Sequence, residues 1–90
     1  MSRHNDRVKQ LANSYRRRGY RVEADVPGFD TPDGIGRENF VPDLLVSKGG
    51  RHKIIEVETE ASLQTDKDQL ASFRRSAAHS KRTSFDLDVI

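Results

Sequence analysis

The chain has 90 residues, 33% of them charged and 33% apolar, with a formal net charge of +2 and no cysteine. That length is one small domain spanning 1–90, and the missing cysteines exclude disulfides, thiolate metal sites and a cysteine nucleophile. No apolar run approaches the ~20 residues of a membrane span, and MSRHNDRVKQ lacks the apolar core of a signal peptide, so the expectation is an intracellular, cytoplasmic protein.

So short a chain buries only about 60% of its extended surface, and a homodimer is expected on that ground. The charge is unevenly spread. Residues 1–21 carry seven Lys/Arg against Asp6 alone, residues 22–66 carry four against ten acids, and residues 67–90 carry five against three. Basic flanks suit a polyanion. An acidic middle needs a cation before it can approach one. The plainer reading is that these charges solvate helix faces.

Val8, Leu11, Ala12 and Tyr15 follow the spacing of one helix face, which predicts a helix over 6–18. Asn5 suits its cap, and Gly19 its left-handed stop. Tyr20, Val22, Ala24 and Val26 alternate with polar residues as a half-buried strand, ended by Pro27-Gly28. Residues 28–39, rich in Gly, Pro and Asp, read as a loop. Its Asp30 and Asp33 do not have the spacing of a calcium-binding loop.

Residues 41–47 and 53–59 read as two strands joined by a Lys48-Gly49-Gly50-Arg51 turn. Residues 62–82 read as one helix, with Thr65 and Asp68 as a capping box. A last strand, SFDLDVI, follows. The order αβββαβ predicts an α/β fold. Strands one to three form a meander and the fourth returns in parallel, giving a mixed sheet flanked by helices.

Acids interrupt the two most apolar strands. Strand side chains alternate between faces, so Glu56, Glu58 and Glu60 share one, and counting back from the turn sets Asp43 opposite roughly Glu56. Carboxylates that meet this way repel unless a hard cation lies between them, and magnesium or manganese fits. The plainer alternative is a solvated sheet face. Against it, Leu44, Leu45, Val46, Ile54, Ile55 and Val57 make both faces largely apolar. His4, His52 and His79 show no ligand spacing.

Pro42-Asp43, twelve residues, then Glu56-Val57-Glu58 resembles the PD-(D/E)XK motif of restriction-endonuclease-like nucleases. The strand and helix order matches that superfamily's core. The stretches PDLLVSKGG and IIEVET are similar to archaeal Holliday junction resolvases. The resemblance implies hydrolysis of DNA phosphodiester bonds, with branched or junction DNA among the candidate substrates. It implies Mg²⁺ or Mn²⁺ held by Asp43, Glu56 and the Val57 carbonyl.

The resemblance also sets Glu58 where that family has a lysine. Three readings stay open: Glu58 is a base or a further metal ligand, Lys67 supplies the displaced lysine, or the site is silent and the fold serves binding or assembly. Asp6 and Gln69 are candidate auxiliary residues. Arg16, Arg17, Arg18, Arg74 and Arg75 are candidates for phosphate contacts, which position nucleic acid without reading its sequence.

Overall fold

The structure, a computed structural model, describes residues 2–90. The elements in order are α1 (Arg3–Arg17), β1 (Arg21–Ala24), β2 (Leu44–Lys48), β3 (Arg51–Glu58), α2 (Glu60–Thr65), α3 (Lys67–His79) and β4 (Thr83–Val89). The strands form one sheet in the order β1-β2-β3-β4. The first two pairings are antiparallel and the last is parallel, so the expected mixed sheet is present.

The two glycines of the hairpin set the register. Gly49 and Gly50 have φ of 59° and 78°, the left-handed pair that a two-residue hairpin turn requires. Lys48 therefore faces Arg51, and the ladder runs back to Leu44 opposite Ile55. Because faces alternate along a strand, Ile55 and Val57 point to one side, while Ile54, Glu56 and Glu58 point to the other.

Each face has its own core. On the first, Val8, Ala12 and Tyr15 of α1 cover Ala24, Leu44, Val46, Ile55 and Val57. On the second, Phe73 and Ala77 of α3 cover Ile54, with Leu45 and Phe85 beside them. Phe73 is fully buried. Truncating such a residue to alanine costs about 3–5 kcal/mol, much of what a domain this small has available.

Several boundaries differ from the sequence reading for identifiable reasons. Helix α1 begins at Arg3, because the Ser2 hydroxyl, not Asn5, caps it by accepting the Asn5 N–H at 3.0 Å. Strand β1 stops at Ala24, whose N–H turns to Asp30 O at 2.8 Å, while the Asp25 N–H donates to Asp43 O at 2.9 Å. Strand β2 starts at Leu44 and not Val41, beyond Pro42, which has no N–H to offer.

The single helix expected over 62–82 is two helices that meet at Asp66. The capping box is Thr59 with Ser62, not Thr65 with Asp68, and Asp66 heads α3 without a side-chain cap. Glu60 consequently begins α2 and does not extend the acidic face of β3.

The segment expected to be a plain loop carries a small bridge of its own. Ile35 N–H donates to Phe40 O at 2.7 Å and Phe40 N–H returns to Ile35 O at 3.1 Å. The Phe40 ring then meets Phe73 edge-on, with centroids 6.4 Å apart. No helix among the described residues is long and apolar enough to cross a membrane.

Candidate active site

Backbone pairing between β2 and β3 ends at Leu44 and Ile55. Beyond that point two carboxyl groups complete the ladder. The Asp43 N–H donates to Glu56 Oε1 at 2.6 Å, and the Val57 N–H donates to Asp43 Oδ2 at 2.9 Å. It is thus the N–H of Val57 that meets Asp43. The side-chain amide of Gln69, in the first turns of α3, donates to Glu56 Oε2 at 3.2 Å. Asp43 Oδ1 has no hydrogen-bond partner among the described residues.

Completing a ladder does not require a charge, and here the charge is costly. Glu56 is 2% exposed. Burial, and then the neighbouring Asp43 carboxylate, push its pKa from 4.5 up to about 9. Asp43 is raised as well, chiefly by burial, with the Val57 N–H and His4 opposing the rise. Two acids that each resist ionising beside the other leave room for a cation.

Glu58 lies two residues along on the same face and is also buried. The Ser62 hydroxyl donates to its Oε2, and Ser62 is fixed in turn by the Thr59 capping box. Burial raises the Glu58 pKa, the Ser62 hydrogen bond opposes this, and the Asp66 charge adds to it. Helices α2 and α3 thus bring Ser62, Asp66 and Gln69 over the acidic face.

One residue at this end was passed over in the sequence. His4, in the first turn of α1, places Nε2 3.1 Å from Asp43 Oδ2. Burial works against its imidazolium, but hydrogen bonding to Asn5 and the Asp43 charge hold its pKa above the ordinary value. His4 stands four residues before Val8, on the sheet-facing stripe of the helix. A helix that begins at Asp6 leaves His4 off this stripe; the observed start at Arg3 puts it on.

The remaining candidates lie elsewhere. Asp6 borders a surface cleft with Arg3, Arg7, Gln10 and Ile90. Lys67 is exposed and makes no ion pair among the described residues. Arg16 stacks on Phe29 and Arg18 on Tyr15, with guanidinium carbons 4.3 and 4.2 Å from the ring centroids. They sit at the far end of α1, about 18 Å of helix from His4. Arg17 is exposed at that end. On α3, Arg74 lies over Phe85. Arg75 lines a cleft of about 350 Å³ with Arg37, Glu38 and Ser72.

Among the described residues, no group of three or more His, Cys, Asp or Glu side chains is arranged to hold a metal ion. The pair Asp43 and Glu56 still fits a hard divalent cation on its chemistry. Its donors are oxygens, one of them without a partner, and one or two carboxylates completed by water and substrate oxygens is a common magnesium arrangement.

A family model decides the relationship: the AHJR-like model, described as REase_AHJR-like, matches residues 2–89. The chain belongs to the AHJR-like family. Membership places it in the restriction-endonuclease-like nuclease superfamily, and the mixed four-stranded sheet agrees with that fold. No curated protein and no solved structure matches the chain. In this AHJR-like protein the Asp43 and Glu56 carboxyls come together at the open end of the β2–β3 ladder.

Proposed function

We propose that the protein is a metal-dependent nuclease that hydrolyses DNA phosphodiester bonds, with Asp43 and Glu56 holding Mg²⁺ or Mn²⁺. The observation that carries this is the meeting of the buried Glu56 carboxyl and the half-buried Asp43 carboxyl through the Asp43 N–H and Val57 N–H in a chain of a restriction-endonuclease-like family. The ion, when bound, would activate water and offset phosphate charge.

The chain's own residues have distinct tasks in this reading. The Val57 N–H holds the Asp43 carboxylate and leaves Oδ1 free for the ion. Gln69 fixes the second oxygen of Glu56. Ser62 orients Glu58, whose pKa burial raises above the ordinary carboxylate value, the direction that makes a carboxylate a better proton acceptor. His4 supplies positive charge beside Asp43, where Glu58 occupies the place of a lysine. Arg74 and Arg75, on the helix that carries Gln69, contact backbone phosphates. The substrate includes branched or junction DNA.

A homodimer belongs to the same proposal. Strand β4 is an edge of the sheet, and Val89 on it is 47% exposed. Light scattering on the eluted protein gives its mass directly.

One observation favours a second reading, a catalytically silent binding or assembly module. Glu58 is buried and already bonded to Ser62, and Lys67 makes no ion pair among the described residues. Incubating the protein with duplex and branched DNA and Mn²⁺ separates the two. Cleavage lost in both Asp43→Ala and Glu56→Ala supports the nuclease. Binding without cleavage, unchanged by those substitutions, supports the module.

A further inference from the structure

The opposite end of the sheet has no part in the site above. There Arg51, His52, Lys53, Arg82, Thr83 and Ser84 line a cleft of about 470 Å³, with Tyr20 closing one side. Arg51 lies five residues before Glu56 on β3, about 17 Å away along the strand. Lys53 is tied to Asp86 at 3.4 Å, but Arg51 and Arg82 are exposed and make no ion pair among the described residues.

Arg82 is held there against its backbone preference. Its φ is +60°, a conformation that glycine or asparagine adopts more readily than arginine. The His52 N–H locks it in place by donating to Arg82 O at 2.8 Å. Across the cleft, Arg82 Nη1 would lie 3.2 Å from a Cβ built at Gly50, so the guanidinium rests closely over the bare turn. A residue other than glycine held at such a φ marks a place where the surrounding structure, and not the local chain, fixes the conformation.

Neighbouring charge points the same way. Lys48 beside the turn donates to Arg18 O at 2.6 Å, which brings the basic C-terminal end of α1 next to the cleft. Two guanidiniums without ion-pair partners among the described residues, with the Ser84 hydroxyl beside them, make a donor set for phosphate oxygens.

We propose that this cleft is a second nucleic-acid site, which binds backbone phosphate through Arg51 and Arg82 without metal and apart from the carboxylates. It rests on the DNA reading above for the identity of the polyanion. It adds a second point of attachment at the far end of the sheet.

The test is titration of a short fluorescein-labelled duplex in EDTA, followed by anisotropy over a range of salt. Arg51→Ala and Arg82→Gly should each weaken binding and reduce the slope of log affinity against log salt by about one. Arg82→Gly should melt no lower than the wild type, which separates lost contact from lost fold. Arg82→Lys should keep most of the slope. Lys81→Ala, which removes an exposed charge outside the cleft, should change the slope far less.

Equal losses from Lys81→Ala and Arg82→Gly would overturn the proposal in favour of diffuse charge. Unchanged binding in Arg51→Ala and Arg82→Gly would overturn it outright, as would tighter binding to anionic lipid vesicles than to duplex at equal salt. The nuclease reading fails separately, by absence of Mn²⁺ binding and cleavage, and that leaves the metal-free titration standing.

Discussion

The two ends of the β2–β3 hairpin place charge in opposite ways. At the open end, Asp43, Glu56 and Glu58 are drawn into the sheet and held by backbone N–H groups, a serine and a glutamine. At the turn, Arg51 and Arg82 stand exposed on a frame of glycines and one strained φ. Carboxyls crowded at a buried or half-buried position resist ionising, so the open end lowers stability unless a cation joins it. Exposed guanidiniums cost the fold little and act over a wider range. Small proteins keep unfavourable groups chiefly where function uses them, and here the larger burden lies with the acids.

The largest effect should come from removing one acid. Asp43→Ala is expected to lower Mn²⁺-dependent cleavage by at least about 10²-fold, since even partners that only support metal ligands are worth 10–100-fold. Single-turnover assays with saturating protein would measure it. Full activity in that variant would show that the open end is only a ladder cap.

Glu56→Gln tests the burden directly. The Glu56 carboxyl keeps its proton in the fold until about pH 9, while its ordinary value is 4.5. Its contribution to stability is therefore fully present below pH 4.5 and is lost as pH rises toward 9, because the unfolded chain gives up the proton first. In EDTA, melting temperature should fall across that window. Glu56→Gln should flatten the fall and gain about 1–3 kcal/mol near pH 8, seen as a higher melting temperature. A variant less stable than the wild type at pH 8 would mean that the carboxylate is well paired in the protein alone.

His4→Ala should reduce cleavage about tenfold, at the lower end of the range for a supporting group, with melting temperature nearly unchanged. A drop of similar size in Lys67→Ala and none in His4→Ala would assign the positive charge proposed for the site to α3. The smallest effect is expected at the turn. Lys48→Ala loses an exposed hydrogen bond to the end of α1 and should cost under about 1 kcal/mol, as read from denaturant midpoints.

The hairpin was the most legible part of the chain. Two glycines admit few turns, so the register followed, and with it Asp43 beside Glu56 and the shared face of Glu56 and Glu58. The first core was visible in the apolar stripe of α1, and strands β2 and β3, apolar on both faces, called for a cover on each side. Other features were hidden for physical reasons. No Pro or Gly marks the break at Asp66, where α2 and α3 separate. The Thr59–Ser62 box uses serine where glutamate or glutamine is usual. Asn5 is as good a cap as Ser2 by type, and a helix capped by Asn5 excludes His4. The cleft at Arg82 joins the turn before β3 to the turn before β4, residues some thirty apart in sequence that only the parallel pairing of His52 with Thr83 brings together.

Calorimetric titration with Mn²⁺ at pH 7.5, repeated in buffers of different ionisation enthalpy, tests the central claim most directly. Because Glu56 is still protonated at that pH, an ion bound between Asp43 and Glu56 must expel a proton. The prediction is saturable binding with close to one proton released per ion in the wild type, and no such release in Glu56→Gln. Absence of saturable binding in the wild type, or release that persists in Glu56→Gln, would contradict a metal site at these two carboxyls.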